Sequence, residues 1–443
     1  MTLVPVLELS ALTPDARALL IERALPASGD VVAVVAGVIE QVRRGGDSAV
    51  VAFLRDVDGT AVDRSRLIVG EDALDAAAAG LAPELSAAMR RTVANLEQFH
   101  EAQRPRDFTL EVEPGVTVGE RFLPAHAAGL YVPFGTAIYP SSALMLTVPA
   151  RVAGVERIVL ATGADPSTGE IPDVVLAAAW IGGATEVWRV SGTVAMAAFA
   201  YGTESLEPVD VVAGPGGRYV EAAKRLVRGV VGVDFDAGPS ETLVLDLDAG
   251  VPARWVAADV LAEAEHGPDS WAVAVTVGEA RAVELASALD AELALLPPAR
   301  RDGVARQAQA GRTAVVVAAS ADAAVAFANA AAAEHVVVHA ADARRVASEI
   351  LDAGTVCVGS YSPSPAGSYA AGSNHVLPTG RSARSTGGLS TRHFGRSQSF
   401  EEITREGLRA LAPSVRAFAT AEGLPAHARA VDIRLESTTP PLL

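Results

Sequence analysis

The chain has 443 residues, enough for more than one hydrophobic core, and its 36 basic against 53 acidic side chains give a formal charge of −17. That negative excess argues against a nucleic-acid footprint or an anionic membrane surface and for a small-molecule partner. A single cysteine excludes an internal disulfide framework and cysteine-rich zinc knuckles, and suits a reducing compartment.

Residues 1–22 show neither the basic region nor the unbroken apolar core of a secretory signal. No run approaches the ~18 apolar residues that a spanning helix needs, so a cytoplasmic protein without a membrane partner is expected. Further on, short β-branched runs alternate with Ala-rich stretches of helix length. The runs fall at 157–161, 209–213, 242–245, 271–276, 313–318 and 336–339, and helix-length stretches at 281–296 and 321–333. Each run is apolar enough to be buried on both faces, as parallel strands between helices are, which predicts an α/β fold.

Glycine and proline cluster where strands hand over to helices. Tyr131-Val-Pro-Phe-Gly135 follows an apolar strand, Ala213-Gly-Pro-Gly-Gly217 precedes a helix carrying the only lysine, Lys224, and Ala237-Gly-Pro-Ser-Glu241 leads into the next strand. In open α/β sheets ligands bind at such turns, where backbone N–H groups can approach a phosphate or carboxylate; a plain tight turn is the competing reading of each. No G-x-G-x-x-G fingerprint with a downstream acid is present.

Four of the eight histidines sit in pieces with chemical content. Glu263 and His266 lie three apart in a segment that reads as helix from Ala257 to a Gly267-Pro268 stop, which puts a carboxylate and an imidazole on one face, half of a metal or acid/base site. Glu334-His335 opens the run at 336–338. His375 lies in Gly372-Ser-Asn-His-Val-Leu-Pro-Thr379, and His427 in Leu424-Pro-Ala-His427. Cys357, inside Thr355-Val-Cys-Val358, reads as a small core residue rather than a thiolate nucleophile. Residues 362–365 and 380–388 read as loop or lid, and 386–443 as a charged helical appendage with a strand only at 431–434.

Taken together these pieces resemble the histidinol dehydrogenase family. Gly129-Leu-Tyr-Val-Pro133, Tyr139-Pro-Ser-Ser142, Ala200-Tyr-Gly-Thr203, Gly214-Pro-Gly216, Ala237-Gly-Pro-Ser-Glu241, Ala264-Glu-His-Gly-Pro-Asp-Ser270, Glu334-His335, Gly372 to Thr379 and Ala426-His427 occur in family order along nearly the whole chain. The resemblance implies two Rossmann-like parallel-sheet domains, a homodimer with shared active sites, and a four-electron oxidation of an amino alcohol through an aldehyde, with two NAD and one zinc ion per subunit. The expected division is an N-terminal segment 1–22, a first Rossmann-like domain 23–130 plus 239–385, a second at 131–238, and a helical dimerisation segment 386–443.

Carried over by position, the resemblance implies Glu334 and His335 as the catalytic acid/base pair and Ser240, His375 and Glu422 as substrate contacts. It places Tyr131, Gly214 and Gly216 at the cofactor and His266 and His427 on the metal. Two ligand positions depart: Glu263 stands where the family has glutamine, and Ser368 where it has aspartate. Either the site is rebuilt around Glu263, His266 and His427, or zinc is lost. Cofactor positions depart too, with Phe134-Gly135 for paired glycines, Val194 for a glutamine and Gly217 for an asparagine. Asp236, Ala331 and Ala333 replace a proline, a tyrosine and a proline. These departures lead to the expectation of an NAD-dependent oxidoreductase whose substrate, an alcohol or aldehyde, is altered from L-histidinol. The alternatives are L-histidinol dehydrogenase itself and a zinc-free relative with specialised-metabolite chemistry or ligand binding only.

Overall fold

The structure is a computed structural model that describes residues 3–23, 29–135 and 138–436. Its strands in chain order are β1 (Val6–Glu8), β2 (Phe108–Glu113), β3 (Val116–Pro124), β4 (Ala127–Val132), β5 (Arg157–Thr162), β6 (Glu186–Arg189), β7 (Val211–Ala213), β8 (Gly232–Val233), β9 (Glu241–Asp246), β10 (Trp271–Val277), β11 (Thr313–Ala318), β12 (His335–His339), β13 (Thr355–Val358) and β14 (Gly395–Ile403). Two sheets are wholly parallel. One has the order β1-β11-β10-β9-β12-β13, the other β6-β5-β4-β7-β8. Apart from the added β1, each runs third-second-first-fourth-fifth in its own chain order, the doubly wound arrangement of a Rossmann-like fold. The expected α/β class with two such sheets is therefore the observed one. Central strands β4, β9 and β11 are buried at every position, because helices cover both faces.

The structure divides the chain differently from the sequence reading. The N-terminal segment expected at 1–22 supplies a strand to the first sheet: β1 pairs in parallel with β11. Residues 29–103 carry no strand, so their sheet could not be assigned from sequence; the apolar face Val31, Val35, Ile39, Val42, Val50, Leu54 of the helix Gly29–Asp56 packs into the core of the β4–β8 sheet, not the other one. That second sheet begins at Ala127 rather than 131, so Tyr131 and Val132 are strand residues. Residues 104–124 leave both domains. With 395–443 they make a separate compact unit, in which β14, β3 and β2 form an antiparallel sheet and the helices Arg405–Ala421 and Pro425–Glu436 follow.

Two readings of the C-terminal stretch are corrected. The 395–403 strand was missed because Gly-Arg-Ser-Gln-Ser-Phe-Glu-Glu-Ile offers no apolar face, and eight of its nine residues carry a polar or small side chain or end the strand exposed. The strand expected at 431–434 is helix, part of Pro425–Glu436. The loop expected at 362–365 gives way at Ser364 to a helical turn that runs to Ala371. Among the described residues no helix is long and apolar enough to cross a membrane.

Candidate active site

A cavity of about 560 Å³ opens where the two parallel sheets present opposite ends to each other. Pro133 and Pro215–Gly217, at the carboxyl ends of β4 and β7, line one side, as expected for ligand binding in open α/β sheets. The other side comes from the amino ends of β9, β10 and β12: Ser240, Ser270 and Glu334-His335. Glu263, His266, Ser368 and His375 complete the wall.

Glu334 and His335 sit where β12 begins, 7% and 4% exposed. Their backbone is tightly backed: a Cβ on Gly354 would lie 2.6 Å from the Glu334 carbonyl oxygen. The Glu241 N–H donates to Glu334 Oε2 at 2.9 Å, and His335 Nδ1 lies 3.3 Å from the Glu241 carbonyl oxygen. Burial pushes the Glu334 carboxyl well above the usual carboxylate value, and the neighbouring Glu263 adds to it. Burial also depresses the His335 imidazole to about 4, so the ring is neutral near pH 7.

The helix Ala253–Ala264 delivers Glu263 and stops before His266, earlier than the sequence suggested. A bond from the His266 N–H to the Glu263 carbonyl continues the turn, so the two side chains still share a side, with His266 Nε2 3.4 Å from Glu263 Oε1. Burial raises the Glu263 carboxyl, while His266 pulls it down. The His266 ring stacks on Tyr139 at 6.4 Å between centroids. One ligand atom each from Glu263, Glu334 and His335 lie within 4.8 Å of one another. Buried carboxylates beside an imidazole are donor chemistry that zinc takes, and His266 next to Glu263 adds a second ring, so these residues fit such an ion. Ser368 contributes little to it: its hydroxyl donates to the Ser364 carbonyl at 3.1 Å.

His375 is held at both nitrogens, with Nδ1 2.8 Å from the Ser368 carbonyl oxygen and Nε2 3.2 Å from Ser142 Oγ; burial depresses it to about 4. Ser142 was quoted in a motif but not singled out as a contact. Glu422 and His427 belong to the 104–124/395–443 unit and are exposed there, Glu422 closing the helix Arg405–Ala421 and His427 in the first turn of Pro425–Glu436.

The cofactor positions are mixed. Tyr131 is buried in the core, its hydroxyl accepts the Gly192 N–H at 3.0 Å, and burial pushes it up to about 12. Val194 is wholly buried. The Gly214 turn is locked from inside. Its φ of +133° and a Cβ position 2.2 Å from the Tyr131 carbonyl oxygen admit only glycine. Its N–H donates to Asp234 Oδ2 and its carbonyl accepts from Lys224 Nζ, while the Gly216 N–H donates to the Ala237 carbonyl. Lys224 is 1% exposed, and as the lone lysine of an Arg-rich chain it was a legible but unused signal. What remains open to the cavity is Gly217, with nothing within 4 Å of a Cβ there, at the start of the helix Arg218–Val227. A helix N-terminus approached by glycine fits a dinucleotide phosphate.

The profile of the histidinol dehydrogenase family matches residues 22–435. The chain is 41% identical over 416 residues to the histidinol dehydrogenase of Methanothermobacter thermautotrophicus, covering 94% of this chain and 96% of that protein. To that of Halobacterium salinarum it is 43% identical over 426 residues, covering 96% and 98%. Among solved structures it is similar to the crystal structure of histidinol dehydrogenase from Elizabethkingia anophelis, with a TM-score of 0.90 at 31% identity, covering 98% of this chain and 99% of that one.

Proposed function

Because the chain belongs to the histidinol dehydrogenase family, we propose that it oxidises L-histidinol through the aldehyde to the amino acid with NAD. The observation that carries this reading is the buried Glu334–His335 pair, set in one cavity with a glycine turn at a helix N-terminus. An altered substrate was the first expectation from the departures at Glu263, Ser368, Val194 and Gly217. Identity of 41–43% extending over at least 94% of the chain supports L-histidinol itself instead.

Bound NAD would accept a hydride in each of the two oxidations, and bound zinc would polarise the substrate oxygen. His335 takes the hydroxyl proton in the first oxidation; burial keeps its ring neutral, so the lone pair is present at neutral pH. A proton on Nδ1, donated to the Glu241 carbonyl, leaves Nε2 as the acceptor. Glu334 takes a proton from the water that adds to the aldehyde, and desolvation makes this carboxylate the more basic for it. His335 gives the proton it took in the first oxidation to the former carbonyl oxygen, which completes the gem-diol, while Glu334 passes its own proton to solvent. Neutral again, His335 receives the gem-diol proton in the second oxidation.

Ser240 and His375 orient the substrate from the cavity wall, with Ser142 fixing the His375 ring. Glu263 and His266 hold the metal. In a homodimer, Glu422 and His427 serve the site of the neighbouring copy. Gly214 and Gly216 shape the pyrophosphate cradle, and Tyr131 supports it from the core. The single thiol suits a cytoplasmic setting.

The test is the purified chain with L-histidinol, NAD and zinc, followed by NADH absorbance and mass spectrometry of the product. Two NADH formed per histidine released is the expected outcome. A folded protein that leaves L-histidinol untouched rejects the reading.

A further inference from the structure

Strand pairing between β9 and β12 accounts for the approach of Thr242 to His335. It does not account for a second set of bonds one residue earlier. The Glu241 N–H donates to Glu334 Oε2 at 2.9 Å, and the Glu334 N–H donates back to Glu241 Oε2 at 3.3 Å. The Glu241 carbonyl oxygen lies 3.3 Å from His335 Nδ1. Its second carboxylate oxygen accepts the Gly380 N–H at 2.8 Å, five residues beyond His375. One residue therefore meets the Glu334 side chain, the His335 ring and the segment leading away from His375.

A carboxylate in this place needs a counter-charge. Glu241 is 5% exposed, and the carboxylate it faces, on Glu334, is 7% exposed. Arg23 supplies the charge: its Nη2 lies 2.6 Å from Glu241 Oε2, and its side chain is 3% exposed. The guanidinium is held by the carbonyls of Ile21 and Ala331 and lies 4.4 Å over the Trp271 ring. Among the described residues its Nε has no hydrogen-bond partner. Arginine suits such a place, because a guanidinium keeps its charge when buried.

We infer that Glu241, neutralised by Arg23, is the positioning residue of the Glu334–His335 pair: its carboxylate ties together the backbone N–H groups of Glu334 and Gly380, and so holds its own N–H on the Glu334 carboxylate and its own carbonyl on His335 Nδ1. The N-terminal segment that carries Arg23 is thereby part of the catalytic machinery. This rests on the reading of Glu334 and His335 as the proton-transfer pair.

The experiment uses three variants of the full chain, Glu241→Gln, Arg23→Gln and the two combined, with Glu334→Gln alongside. Each single change leaves a buried charge unpaired, so each lowers the thermal midpoint. The combined variant removes both charges and recovers the midpoint. It does not recover turnover, because a glutamine amide cannot accept from both Gly380 and Glu334. The expected result is a kcat reduced by about ten- to a hundred-fold in Glu241→Gln and in the combined variant, with KM for L-histidinol within about two-fold. In the Glu334→Gln background, Glu241→Gln costs less than about three-fold more, since both act through one group. A combined variant that regains kcat together with its midpoint overturns the positioning role and leaves a purely structural ion pair. An active Glu334→Gln sinks the assignment of the pair itself, and the positioning role with it.

Discussion

Glu263 and Glu334 each hold a carboxylate oxygen 3.8 Å from the same atom, Nδ1 of His335. Burial pushes both carboxyls up, and Glu263 raises Glu334 further. Glu263 also stands in the last turn of its helix, at the negative pole of the macrodipole. Two carboxylates crowded in a dry wall relax when a cation joins them.

From that crowding comes a metal prediction. The anionic ligand that the family resemblance places at 368 is a hydroxyl tied to Ser364, while a carboxylate stands at 263. Zinc should co-purify at about one ion per chain, held through Glu263 and His266. Glu263→Gln leaves no carboxylate at either position and should weaken zinc by about ten- to a hundred-fold. Adding Ser368→Asp to that variant should restore it. Elemental analysis after dialysis against a chelator reads all three proteins, and a metal-free wild type that turns over fully would rule the relocation out.

For the catalytic pair, His335→Asn and Glu334→Gln should each cut kcat by about two orders of magnitude or more. The thermal midpoint should move little in Glu334→Gln, which keeps the size of the side chain, and fall in His335→Asn, whose smaller amide still offers a donor near the place of Nδ1. Steady-state kinetics on L-histidinol decide it: turnover like wild type in both variants removes the assigned roles.

Much of this site is legible in the sequence. Strands 271–276 and 313–318 were visible as apolar β-branched runs, and they are β10 and β11. Glu334, His335, His375, Glu263 and His266 were found as residues, and one cavity gathers them. Glu241 was printed in a motif yet silent as to role. Its bonds run to residues 93 and 139 positions away, and no local pattern encodes such a pairing. Arg23 is 218 residues from the carboxylate it neutralises. The helices of 29–103 were not read as elements, only counted with the first domain, and a helix alone does not say which sheet it will cover. The 395–403 strand was lost because period-two alternation shows only when one face is apolar.

Assembly is testable without a complex structure. Glu422 and His427 are exposed in their unit, so Glu422→Ala and His427→Ala should change stability by no more than about 0.5 kcal/mol. Both should nonetheless lose activity. Mixing His427→Ala with Glu334→Gln, after reversible dissociation, should regain activity, since a heterodimer with sites shared between chains has one site free of both changes. If the residues act within their own chain, both sites of the heterodimer stay damaged. No recovery, with heterodimer verified by mass, would count against sharing.

The Gly214 cradle carries a pH signature of its own. Lys224 is a single ammonium facing two carboxylates: Asp234 lies nearer, at 2.8 Å, and Glu221, at 3.4 Å, is left as the surplus anion. Burial therefore pushes the Glu221 carboxyl up to about 7 against the pull of Lys224, from an ordinary 4.5 that the unfolded chain regains. Between those values the folded state holds a proton that the unfolded state has lost. The unfolding free energy gains nothing from Glu221 as pH rises through this window; it falls, and levels off above about 7. Glu221→Gln keeps the shape and removes the titration. Its stability relative to wild type should rise by about 1–3 kcal/mol between about pH 5 and pH 8, read from urea midpoints at the two values. A difference that stays flat with pH would mean that Lys224 neutralises both carboxylates and that Glu221 is ionised throughout.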